Sequence, residues 1–301
     1  MSEVDDFLSS YTYNEQTAAY EYYTSLRLSE ILVLSHYEKA SDPGSGERIV
    51  WYGQTNPIKK SFEGNPDMIC NCKGYSIIGE ASLGDQNNQW RQELSTIEKH
   101  YDEHLQNTGM NQESLLTLFM CRNINEYSLA NIAPILNKTK MALLTETMLT
   151  EVGEIAKIVP FIGHFEIRSL LADLNDLLKS SSEPDQYISK GSEKIDEWGK
   201  KILESQKYIL FGLESYKILR EQTQPYLDIR EIYAELEKKN RIVKLLSITN
   251  SRVSAEDITK SITEHRFATY VGRAQEAKLY APVPVQDLDA TYRKILADAL
   301  Q

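Results

Sequence analysis

Apolar residues recur at helical intervals near the start of the chain: Tyr23, Leu26, Val33 and Tyr37, with Glu30 on the same face, predict a helix over residues 14–37. A Ser-Asp-Pro-Gly-Ser-Gly loop at 41–46 breaks the pattern. Residues 48–52 (Arg-Ile-Val-Trp-Tyr) read as a short strand, and Asn56-Pro57 and Glu63-Gly64-Asn65-Pro66 read as turns. Two strands are expected at 67–72 and 75–82, joined by Lys73-Gly74. A polar stretch from Gly84 leads into a helix over 89–106, with Trp90, Leu94 and Ile97 lining one face. Strand 115–120, helix 125–135, strand 141–145 and helix 147–159 follow. Alternating strands and helices predict an α/β core, a mixed sheet flanked by helices.

The composition shifts at Lys179-Ser180-Ser181-Ser182-Glu183-Pro184, which places a domain boundary between residues 1–178 and 179–301. Beyond it only helices are expected, at 185–222, ended by Pro225, and then at 226–247, 254–264 and 267–279, so this region reads as all-α. Ser254 with Asp257 forms a plausible cap. Ile195, Trp198, Ile202, Ile209 and Leu213 make an apolar stripe on the long helix, suited to another protein or domain or to this chain's own core. A helix-turn-helix over 254–279 would set Arg266, Arg273 and Lys278 as DNA contacts. A helical surface that docks a partner is the competing reading.

The chemistry concentrates at Gly64-Asn65-Pro66-Asp67 and Gly79-Glu80-Ala81-Ser82. A two-residue hairpin turn at Lys73-Gly74 makes residue 72 face 75 and sets Asp67 opposite Glu80. Opposed side chains have β-carbons about 5 Å apart. Two carboxylates at that distance repel unless a cation lies between them, and hard oxygen ligands suit Mg²⁺. A slip of one residue would destroy the pairing. Gln89, Glu93 and His100 fall close to one face of the next helix, and Glu30 on the opening helix can reach the same place. Taken singly, a Pro-Asp step and a strand glutamate read as surface charges, Glu30 as a solvated residue and His100 as a structural one.

Charge complicates a nucleic-acid role. The 301-residue chain carries a net charge of −11, whereas phosphate neutralisation supplies most DNA affinity. A basic stripe hidden by the fold or a partner must make up the difference. Hydrophobic residues at 41% suffice for a large core. No apolar run nears the roughly 18 residues of a membrane span, and the acidic start lacks the order of a signal peptide, so a cytoplasmic protein is expected. Cys70, Cys72 and Cys121 fit that compartment as buried, apolar-like residues; their spacing is not that of a usual metal site.

The order helix acid, Pro-Asp, strand Glu-x-x resembles the PD-(D/E)XK nuclease superfamily. Residues Gly79 to Glu93, then His100, are similar to the AlwI-type restriction endonucleases and site-specific nicking enzymes. That family shows an acid-x-small-hydroxyl-Leu strand, then Gln, Glu and His down the following helix. Leu116–Cys121 and Met141–Leu144 resemble its next two core strands. The resemblance covers about residues 14–160 and implies a restriction-endonuclease-like mixed sheet. It implies that Asp67 and Glu80 bind Mg²⁺ and that Glu93 and Glu30 complete the acidic site. Many superfamily members have Lys two residues after the strand acid. Ser82 stands there instead, as AlwI-type enzymes also tend to lack that Lys. The activator of water is then Glu93, Gln89 or a second metal-bound water.

The implied reaction is metal-assisted phosphodiester hydrolysis of double-stranded DNA, in a restriction or phage-defence setting, leaving a 3′-hydroxyl and a 5′-phosphate. The family places DNA-recognition domains before the nuclease core, and none precedes it here. This resembles small cleavage-only subunits that depend on a larger recognition subunit, with a homodimer as the other arrangement. Two rival readings are a catalytically idle nuclease-fold subunit kept for assembly and a helical adaptor with a coincidental motif.

Overall fold

The computed structural model describes residues 3–32, 34–38, 48–53, 65–72, 74–84, 87–158, 162 and 164–221, and past that point 226–228, 231, 234, 269–271 and 278–280. Several expectations lie outside the described residues. They are the loop at 41–46, the turns at 56–57 and 63–64, Lys73, Gln86, Pro225, the 254–264 helix with its cap, Arg266 and Arg273. The side chains of Gln89, Trp90, Ile209 and Leu213 also lie outside.

Strands β4 (Tyr75–Ser82), β5 (Leu115–Cys121) and β6 (Met141–Thr145) are buried at every position. Such strands need cover on both faces, as parallel neighbours joined by crossover helices do. Helix α3 (Asn87–Thr108) makes the first crossover and α4 (Glu126–Thr139) the second, and β4, β5 and β6 pair in parallel. On the other side of β4 lies β3 (Met68–Cys72), antiparallel to β4, and beyond it β2 (Arg48–Trp51), antiparallel to β3. The edge strand β1 (Ser35–Glu38) runs parallel to β2. The result is a six-stranded mixed sheet in the order β1-β2-β3-β4-β5-β6.

Successive strand residues face opposite ways, so Ile77 and Ile78 mark the two layers. On one side Leu28, Ile31 and Leu32 of α2 (Gln16–Leu32), Val152 of α5 (Glu146–Ile158) and Leu170 of α6 (His164–Ser180) converge on Ile77, Leu118 and Leu144. On the other, Ile78 and Leu115 pack with Tyr101 of α3. Each such buried aliphatic contributes roughly 1.5–3 kcal/mol. A short helix, α1 (Glu3–Leu8), buries Val4 and Leu8.

The predicted opening helix is too long. It stops at Leu32, where the N–H of Leu34 bonds to Ser29 O in a helix-closing turn. Residues 35–38 join the sheet, and His36 is held there by Ser25 Oγ at 2.9 Å. Backbone pairing and this contact override a segment that local pattern allows as helix. Helix α6 goes unpredicted, although Ile167, Leu170, Leu171, Leu174 and Leu178 form its buried stripe.

The chain divides into two compact units, Met1–Ile158 with Ile162–Trp198, and Val159–Phe161 with Gly199–Gln301. The boundary expected at 178/179 is the connection between α6 and α7 (Pro184–Glu221), within the first unit. There Tyr187 Oη donates to Leu143 O at 2.6 Å and Trp198 Nε1 to Glu166 O at 2.9 Å. The stretch of the α7 stripe up to Trp198 is therefore the chain's own core.

The second unit is not all-α. It contains β7 (Tyr226–Asp228), β8 (Thr269–Val271) and β9 (Lys278–Tyr280) in an antiparallel sheet of order β7-β9-β8. Thr-Tyr-Val and Leu-Tyr are β-branched and aromatic steps that favour strands. Glu231 and Ala234 are helical, as expected. Lys278 lies on a strand, so the helix expected over 267–279, and with it the helix-turn-helix, is overturned.

Candidate active site

The β3–β4 hairpin sets the site. Gly74 has φ 80°, the left-handed value that the tight turn requires, and Cys72 pairs with Tyr75. The ladder runs to Met68 opposite Gly79, so Asp67 and Glu80 form the next rung, in the register expected from the turn. They are cross-linked: Asp67 N–H donates to Glu80 Oε2 at 3.4 Å, and Ala81 N–H donates to Asp67 Oδ2 at 2.8 Å. Gly79 lets the strands meet, since a β-carbon there would lie 2.5 Å from Met68 Cγ.

Both acids are nearly removed from water, Asp67 at 8% exposure and Glu80 at 4%. Carboxylates are seldom buried to this degree unless paired. Burial pushes the Glu80 carboxyl well above its ordinary range, the charges of Glu93 and Glu21 push the same way, and hydrogen bonds from Asp67 oppose them. His100 Nδ1 lies 2.5 Å from Glu80 Oε1. Burial lowers the His100 pKa, with Glu103 and Glu93 acting against that shift. Burial thus disfavours charge on both groups. His100 Nε2 is buried and has no hydrogen-bond partner among the described residues.

Helix α3 supplies the neighbours. Glu93 and His100 are two turns apart on it, and Ser82 Oγ donates to Glu93 Oε1 at 3.3 Å. Ser82 thus anchors an acid at the strand position where Lys is common. Gln89 is on α3. Glu30 does not join the group. Its side chain is 64% exposed and paired with Arg27 at 2.8 Å. The α2 acid that acts on Glu80 is Glu21, buried at 5% exposure. Nine helical residues separate Glu21 from Glu30, about 13 Å along the axis. The signal for Glu21 was its place on the stripe with Ser25, Leu28 and Leu32, all buried.

Among the described residues no group of three or more His, Cys, Asp or Glu side chains is gathered as a metal cage. The donor set still suits Mg²⁺, which is commonly held by one or two carboxylates and completes its shell with water. Asp67 and Glu80 would supply the two carboxylates. The cysteines form no disulfide, with Cys70 and Cys121 buried and Cys72 partly so. No helix among the described residues is long and apolar enough to cross a membrane.

The AlwI restriction endonuclease family matches residues 14–171, just over half of the chain, and the chain belongs to it. No curated protein matches. A similar solved structure is the small subunit of the heterodimeric restriction endonuclease R.BspD6I, 18% identical, with a TM-score of 0.47 over 65% of this chain and 98% of that one.

Proposed function

We propose that this protein is a Mg²⁺-dependent endonuclease of the PD-(D/E)XK type that hydrolyses phosphodiester bonds in double-stranded DNA, in a restriction or defence role. The observation that carries this is the buried Asp67–Glu80 rung, since two acids in a sheet core are costly unless function requires them. Family membership supports the nuclease class. Asp67 and Glu80 hold the ion. When bound, Mg²⁺ supplies Lewis-acid polarisation of a phosphoryl oxygen. Glu93, steadied by Ser82, takes the proton of the attacking water. His100 positions Glu80 through their contact and excludes bulk water from it. Glu21 adds negative charge behind the pair. The −11 charge argues for a partner, a larger recognition subunit or a second copy, that supplies most DNA affinity.

The test is a Mg²⁺ titration of DNA cleavage by the full chain, with and without a recognition partner, alongside Asp67→Ala and Glu80→Ala. Loss of several kcal/mol of transition-state stabilisation corresponds to a fall of roughly 10³-fold in each, with the fold retained by circular dichroism. Wild-type rates in either variant would overturn the site. No cleavage by any form at any metal concentration would favour the idle assembly subunit.

A further inference from the structure

Strand β4 carries Ser82 and not a cation two residues past Glu80, and the neighbouring strand ends in a cation that faces the other side of the sheet. Arg122 follows Cys121 at the end of β5, and its N–H donates to Ser82 O at 3.4 Å. Its guanidinium is held on two unequal sides. Nε faces Glu146 Oε2 at 3.5 Å, a side chain only 15% exposed at the start of α5. Nη2 pairs with Asp5 of α1, whose side chain is 34% exposed. The backbone contact places Arg122 at the same end of the sheet as the buried acids, with its side chain on the face that α1 and α5 cover. Helix α1 makes a second pair of this kind, Glu3 with Arg27.

We propose that Arg122 binds a DNA backbone phosphate beside the scissile bond, and that Asp5 occupies its outer face in the free protein as a stand-in for that phosphate. The inference rests on the nuclease role proposed above. A guanidinium edge fits a carboxylate and a phosphate in the same planar manner, so one anion exchanges for the other without reorienting the arginine. Glu146, the more buried partner, stays in place and fixes the plane. Helix α1 becomes an acidic strap that DNA must displace at one point, which lowers the affinity of an already acidic chain for DNA.

The experiment measures binding of a fluorescent duplex to the full chain without metal, by anisotropy, across a salt series starting near about 50 mM. Asp5→Asn is expected to tighten binding roughly threefold to tenfold, the scale of one part-exposed ion pair. Asp6→Asn removes the same charge from α1 without touching Arg122 and is expected to do less. Arg122→Gln is expected to weaken binding and flatten the salt slope by about one. In its background Asp5→Asn should have no effect. Arg122→Lys, which keeps the charge and loses the planar edge, replaces it if Arg122→Gln melts early. Equal gains from Asp5→Asn and Asp6→Asn, a gain that survives loss of Arg122, or no binding by Asp5→Asn at the lowest salt each overturn the assignment. Cleavage of the same duplex with Mg²⁺ separates the two readings. Coupled binding with no cleavage either alone or with a recognition partner sinks the nuclease and keeps the phosphate site; cleavage without coupling does the reverse.

Discussion

Glu80 is a carboxyl in a sheet core, and its protonation is set by what surrounds it. Burial, then the charges of Glu93 and Glu21, raise its folded pKa above the unfolded value near 4.5. A raised carboxyl contributes stability that is fully present below the unfolded pKa and is lost as pH climbs through the folded one. Glu80→Gln keeps a neutral hydrogen-bonding group facing His100 and removes that dependence. Without metal, the melting temperature of Glu80→Gln should therefore exceed that of the wild type by a margin that grows as pH rises above about 4.5. Scanning calorimetry in metal-free buffers at several pH values measures the margin. A difference that stays flat from acid to neutral pH would falsify the buried-acid account.

Between residue and helix or strand, close approach decides what a substitution does. Gly79 lies opposite Met68, which is fully buried and cannot retreat. Gly79→Ala should cost about 1–3 kcal/mol by overpacking, and it should slow cleavage because Asp67 immediately precedes Met68. Gly153 on α5 has nothing within 4 Å of where its β-carbon would lie. Gly153→Ala should stabilise by roughly 0.5–1 kcal/mol through helix propensity and leave cleavage alone. Urea unfolding of the pair tests the contrast, and two changes of the same sign would refute it. The same scale explains what could be read in the chain beforehand. The Asp67–Glu80 rung was legible because a two-residue turn at Gly74 fixes one register. The central strands were legible as short apolar runs between helical segments. Glu30 was named and Glu21 missed because helical spacing groups residues on a face without saying which face is buried. The edge strand β1 and the short strands β7 to β9 are made by pairing with distant segments, and local pattern carries little of that.

For the whole molecule, the net charge of −11 opposes a job performed on a polyanion. Arg27 and Arg122 do little to offset it, because each is bound to carboxylates of this chain. Binding to plain duplex should therefore be weak and weaken further with salt. Geometry adds a second constraint: in-line attack commits one site to one scissile phosphate at a time. A double-strand break needs two sites, or one site used twice. A supercoiled plasmid with Mg²⁺ distinguishes the arrangements. Alone, the chain should be inert or convert plasmid to the nicked circle; with a recognition partner, linear DNA should appear. Linearisation by the chain alone at a rate first order in protein would show that it needs no partner. A rate rising with the square of its concentration would instead make the second site another copy of this chain. Residues 199–301 would then be the first place to look for the contact between copies, because they form a unit separate from the acids at Asp67 and Glu80.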